Sequence, residues 1–73
     1  MNSKDIEVFL MVSQTRSLTQ AARRLNTTPM TVSRRLASLE DDLGVRLMHR
    51  TTRAIALTVE GEEFLPYAKS LAE

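Results

Sequence analysis

The side chains in this sequence that could do chemistry are hydroxylic and basic, and they gather in its middle. Thr28, Thr31, Ser33 and Arg34 fall close together, with Met30 among them and Arg35 beside them. Such groups offer hydrogen-bond donors and positive charge to an anion. Arg16, Arg23, Arg24, Arg34, Arg35, Arg46, Arg50 and Arg53 face only Glu40, Asp41 and Asp42 in the same stretch, a local balance of +5. The flanks hold Lys4 and Lys69 against Asp5, Glu7, Glu60, Glu62, Glu63 and Glu73, a balance of −4. The overall charge of +1 hides this polarity. It would orient the chain towards a polyanion better than uniform charge. A solvated basic face with no partner fits the charge alone equally well, so the elements must decide.

Other chemistries find no support. There is no cysteine, and His49 is the single histidine, so neither a metal centre nor a disulfide can be assembled. Glu40, Asp41 and Asp42 are consecutive on a helix and point in different directions, which reads as a solvated helix end rather than a catalytic pair. No glycine-rich phosphate loop and no Ser-His-Asp set is present. No catalytic residue, metal or cofactor is expected. With no apolar run of membrane-spanning length and no signal segment, the chain is expected in the cytoplasm, away from membranes. Its 73 residues, 42% apolar, suffice for one small core of three or four helices.

The elements that must position the basic and hydroxyl groups are two helices within residues 17–44. The first repeats apolar residues at Leu18, Ala21, Ala22 and Leu25, and the second at Val32, Leu36, Leu39 and Leu43. Opposite the second stripe, at ~100° per residue, lie Met30, Arg34, Ala37 and Ser38, flanked by Thr31 and Ser33. The helix therefore presents small, hydroxylic and basic side chains at its start, where its dipole favours phosphate. Ser17 and Gln20 form a capping box, Asn26 suits a left-handed helix end, Thr28 caps the second helix, and Pro29 takes its first position. Gly44 closes it, with Val45 placed for the accompanying apolar contact. So short a turn gives a helix-turn-helix with the second helix exposed at its start.

An earlier helix is predicted from a Ser3 cap to about Thr15. Ile6, Phe9, Leu10 and either Val12 or Ser13 should turn inward, while Lys4, Asp5 and Glu7 stay wet. After Gly44, Leu47 to Arg50, a polar turn at 51–54 and the alternation of Ile55, Ala56 and Leu57 predict a two-stranded wing carrying Arg50 and Arg53. Thr58 should cap a last helix with Glu60, Glu62 and Glu63 in its first turns. Val59, Phe64, Leu65, Ala68, Leu71 and Ala72 form its apolar face. Gly61 disfavours this helix, and Pro66 should kink or break it. The expected fold is mainly α: a winged helix-turn-helix of three helices and a two-stranded β wing over 1–57, then a linker helix over 58–73.

SLTQAARRLN, VSRRLASLEDDLGVRL, HRTTR and LTVEGEEFL follow one another without a gap. Together with the initial helix they resemble the DNA-binding domain of LysR-type transcriptional regulators over nearly all of the chain. The resemblance implies sequence-specific binding of double-stranded DNA, and a linker helix that pairs two protomers into a homodimer, with higher oligomers in the full-length protein. It also implies a C-terminal domain that senses a small-molecule effector, so that this chain is expected to be an N-terminal fragment. A dimer predicts an interrupted palindrome, and the resemblance suggests a T-to-A dyad. It would start the recognition helix at Thr28 and set Pro29, Met30, Thr31, Ser33 and Arg34 at the major groove, with Arg53 in the wing. The family often has glutamine in place of Pro29, a small residue or proline in place of Met30, and an apolar residue in place of Thr27.

The proposed roles follow from residue chemistry. Arg34 can grip guanine bidentately, or lie on phosphate. Met30 and Thr31 can touch a thymine methyl, and Pro29 shares their face; Thr31 or Ser33 can instead hydrogen-bond phosphate. Arg53 can enter a narrow minor groove or rest on the backbone. Ser17, Arg23, Arg24, Thr28, Arg35 and Arg50 suit phosphate or solvent, and Arg35, near the edge of the buried stripe, has a carboxylate partner as its alternative. Phe64, Leu65, Ala68 and Leu71 are the expected dimer stripe, too long for the domain beneath to cover fully. A rival reading, a winged helix used as a protein-protein interaction module, would need an apolar patch where Thr31, Ser33 and Arg34 stand.

Overall fold

The structure, a computed structural model, describes residues 1–50 and 55–73. The chain runs α1 (Ser3–Thr15), α2 (Leu18–Arg24), α3 (Pro29–Leu43), β1 (Met48–Arg50), β2 (Ile55–Leu57) and α4 (Val59–Ala72). The strands pair antiparallel with Met48 opposite Leu57, His49 opposite Ala56 and Arg50 opposite Ile55. This is the expected mainly helical architecture with a two-stranded wing. The polar turn at 51–54, Arg53 included, lies outside the described residues.

Local chemistry accounts for the ends of these elements. Thr28 is extended and its Oγ1 accepts from the Thr31 amide at 3.2 Å, with Pro29 opening the helix behind it. Gly44 takes φ +69°, and its amide and that of Val45 both reach the Glu40 carbonyl, at 2.8 and 3.2 Å. Asn26 adopts φ +57°, and the Thr27 amide returns to the Ala22 carbonyl at 2.9 Å. Two caps differ from expectation. At α1 the cap is Asn2, not Ser3: Asn2 is extended and its Oδ1 accepts from the Lys4 amide at 2.9 Å, while Ser3 is already helical. At α2 the Ser17 Oγ accepts from the Gln20 amide at 3.2 Å, but the return half of the box is replaced, because the Ser17 amide donates to Thr15 Oγ1 at 3.3 Å.

The core is centred on α1, which packs against α2, α3 and α4. Phe9 and Val12 are sealed from solvent together with Ala21, Val32, Leu36, Leu39, Leu47, Met48 and Ala68. Val8, on the same side, is also buried. The Phe9 and Phe64 rings meet at 5.5 Å between centroids, tilted by 60°, within the range favoured for aromatic pairs.

The last helix departs most from its sequence reading. It continues through Pro66 to Ala72 without a break. Glu62 and Pro66 both face solvent, where water can take the carbonyl that proline leaves without a donor. Ala68 is buried, and Phe64 and Leu65 are half-buried against the core, so the domain covers the stripe only in part, as its length predicts. Only Leu71 of those four is exposed. Val59 points outward rather than inward, because Gly61, ~200° further round the helix, is the residue that meets the core. A Cβ on Gly61 would overlap the Leu47 carbonyl, which explains a glycine in a helix interior.

Candidate nucleic-acid interface

The start of α3 stands clear of the domain. Met30 is 70% exposed, Pro29, Arg34 and Ser38 are exposed, and Thr31, Ser33 and Ala37 are half-buried on the flanks. The Thr28 hydroxyl donates to Thr31 Oγ1 at 3.0 Å while accepting from its amide, which leaves the Thr31 proton able to donate outward. Among the described residues, Arg34, Arg23, Arg24 and Arg46 make no salt bridge. Arg23 is exposed at the last turn of α2, and Ser17 is half-buried at its cap. Beside α3 runs an open groove lined by Asp5, Thr31, Arg34, Arg35, Ser38 and Asp42, together with the first two residues. Donor groups thus cluster on one face, and the wing strands leave the far end of the same helix.

Two arginines are held by carboxylates. Arg35 Nη1 lies 3.2 Å from Asp5 Oδ1, the carboxylate alternative for this residue. Asp5 is therefore buried, not wet as its polarity suggested. Arg50, on β1, places Nη2 3.0 Å from Glu40 Oε1. Glu40 is likewise no solvated helix end. It is buried, and its Oε2 accepts from the Leu47 and Met48 amides at 2.8 and 3.2 Å. Asp41 and Asp42 are exposed as expected. Helical period could have found both buried acids: Glu40 follows Leu36 by four residues and Asp5 precedes Phe9 by four, so each falls on an inward face. His49 is an exposed strand residue.

On α4 the exposed large apolar side chains are Val59, Tyr67 and Leu71, the last two 69% and 60% exposed. Tyr67, three residues after Phe64 and four before Leu71, adjoins the apolar stripe, and helical period is the signal that finds it. Among the described residues no group of acidic, histidine or cysteine side chains could hold a metal. No described helix is long and apolar enough to cross a membrane.

Known proteins share this arrangement. Residues 3–62 match the family model of bacterial regulatory helix-turn-helix proteins of the LysR family. The chain is 44% identical over 68 residues to the HTH-type transcriptional regulator YofA of Bacillus subtilis, covering 93% of this chain and 24% of that protein. It is 39% identical over 70 residues to the HTH-type transcriptional activator IlvY of Haemophilus influenzae, covering 96% and 24%. The chain thus spans about a quarter of the length of these relatives. Among solved structures, the CbnR DBD–DNA complex superposes with a TM-score of 0.94 at 34% identity, over 97% of this chain and 82% of that one. The BenM DBD bound to benA site 1 DNA gives 0.90 at 34%, over 97% and 80%. A helix-turn-helix capped at Ser17 and Thr28, a wing on Glu40 and a family match across both converge: the chain belongs to the LysR family of bacterial regulatory helix-turn-helix proteins.

Proposed function

We propose that this chain binds double-stranded DNA sequence-specifically, as the N-terminal DNA-binding part of a transcriptional regulator. The observation that carries this is the exposed start of α3, where Met30, Thr31 and Arg34 stand beside exposed arginines on an otherwise packed domain. Phosphate contacts from Arg23, Ser17, the Thr28 amide and Ser33 set the register, Arg35 stays on Asp5, and Pro29, Met30, Thr31 and Arg34 read the major groove. The wing lies at the minor groove. Residues 1–57 form the binding unit and 58–73 the start of a linker helix. In the full-length protein a small-molecule effector acts through a further domain, and the protein works in the cytoplasm, where bacterial DNA is. It is not an enzyme. A protein-interaction role is disfavoured because Met30 is the only large apolar side chain exposed on α3 among the described residues.

Arg34→Ala tests base reading. It weakens specific binding by ~1–3 kcal/mol and relaxes preference at one base pair per half-site. Selection from a random-sequence duplex pool measures this, and an unchanged consensus removes Arg34 from the base-reading set.

We also propose a homodimer through α4, on an interrupted palindrome. Tyr67 and Leu71 offer an exposed apolar strip, whereas Phe64, Leu65 and Ala68 support the core as well as the edge of that strip. Tyr67→Glu with Leu71→Glu is therefore the cleaner test than a charge at Leu65. Sedimentation on a two-half-site duplex should give two wild-type chains per duplex, and the double variant should bind that duplex no more tightly than a single half-site. One wild-type chain per duplex would overturn the pairing.

A further inference from the structure

We infer that Glu40 is the positioning residue of the wing, fixing its direction relative to α3 so that both grooves can be engaged at once. The inference rests on the DNA-binding reading above. Glu40 sits in the last turn of α3 and belongs to both neighbouring elements. Its backbone carbonyl accepts from Gly44 and Val45, closing the helix. Its carboxylate accepts from the Leu47 and Met48 amides and from Arg50, so the first wing strand starts on the same residue.

The segment between helix and wing is braced from the other side as well. Thr58 Oγ1 donates to the Arg46 carbonyl at 2.6 Å, and the Thr58 amide to the Leu47 carbonyl at 3.0 Å. Residues 45–48 therefore run between Glu40 and the cap of α4. The carboxylate is the charged half of that clamp, and it is 9% exposed, so its attraction for Arg50 is little screened. Arg50 Nε is shielded from solvent and has no hydrogen-bond partner among the described residues. Its Nη2, 3.0 Å from Glu40 Oε1, makes the one salt bridge of this guanidinium among the described residues and ties the first wing strand to α3. Arg50 thus acts through the wing's placement rather than as one more phosphate contact.

The test is a pair of footprints of the 73-residue chain on a duplex that the wild type selects from a random pool. Protection of guanine N7 reports α3 in the major groove, and hydroxyl-radical protection beside each half-site reports the wing. With Glu40→Gln, guanine protection persists at raised protein concentration, wing protection is lost, and affinity falls about tenfold, within the range of removing one bidentate base contact. Arg50→Gln, which keeps both backbone hydrogen bonds to Glu40, gives the same split with a smaller drop in stability. Combining the two adds little to Glu40→Gln alone, as expected of residues acting as one unit. Loss of both protections in parallel, or of neither, in Arg50→Gln overturns the inference. A wild-type chain that selects no duplex and protects none overturns the DNA-binding reading instead.

Discussion

Gly61→Ala destabilises the domain by about 2–3 kcal/mol, as overpacking does in a well-filled core, although in an exposed helix the same change would stabilise by about 1 kcal/mol. The sign is decided by what the methyl group meets. At Gly61 it would overlap the carbonyl oxygen of Leu47, a backbone atom that cannot rotate away. That carbonyl also accepts from the Thr58 amide at 3.0 Å, while Thr58 Oγ1 accepts from the Gly61 amide at 2.9 Å. Relieving the clash therefore moves the cap of α4 and the entry to the wing together. For a domain of this size the melting temperature should fall by roughly 10–20 °C. Urea unfolding with an unchanged m-value would attribute the change to stability alone. A Gly61→Ala variant as stable as the wild type would mean that α4 does not approach Leu47 so closely.

The contrast between Gly61 and the caps shows what a sequence of this kind discloses. Thr28, Pro29, Gly44, Asn26 and Thr58 act on neighbours within a few residues, so their types and spacing alone predict where helices begin and end. The face of α3 carrying Met30 and Arg34 was legible for the same reason, because helical period sets it. Interactions across the fold were less so. Asp5 finds Arg35 thirty positions away, and Glu40 draws in Leu47, Met48 and Arg50 from the next element. Polarity alone assigns both acids to solvent, and only their phase relative to Phe9 and Leu36 says otherwise. The α4 stripe is covered only in part, as its length predicts: Ala68 is buried and Phe64 and Leu65 are half-buried against the core, while Leu71 stays exposed. Pro66 is tolerated because its freed carbonyl is on the wet side of the helix.

The largest functional effect expected is the response of DNA binding to salt. A paired domain making ~6–10 phosphate contacts falls ~10³–10⁵-fold in affinity between 50 and 200 mM monovalent salt, because each neutralised phosphate releases counterions. Arg23, exposed and without a salt bridge among the described residues, should neutralise one phosphate per protomer. Arg23→Ala then lowers affinity for all duplexes alike and flattens the logarithmic salt slope by about one unit for each phosphate no longer neutralised. Arg50→Gln, by contrast, flattens the slope only by the contacts the wing itself makes and loses wing protection, whereas Arg23→Ala leaves wing protection in place, which separates a wing brace from a phosphate contact. A fall confined to the selected duplex in Arg23→Ala would move that residue to base reading.

The most direct test of the central claim compares two duplexes across a salt titration: one selected by the wild-type chain and one of the same composition in scrambled order. If α3 reads bases while the arginines hold phosphate, both affinities fall steeply with salt, and the selected duplex stays about 10³-fold tighter or more. Arg34→Ala narrows that gap without changing the slope for the scrambled duplex. Equal affinity for the two duplexes at every salt concentration, or binding indifferent to salt, would contradict the account.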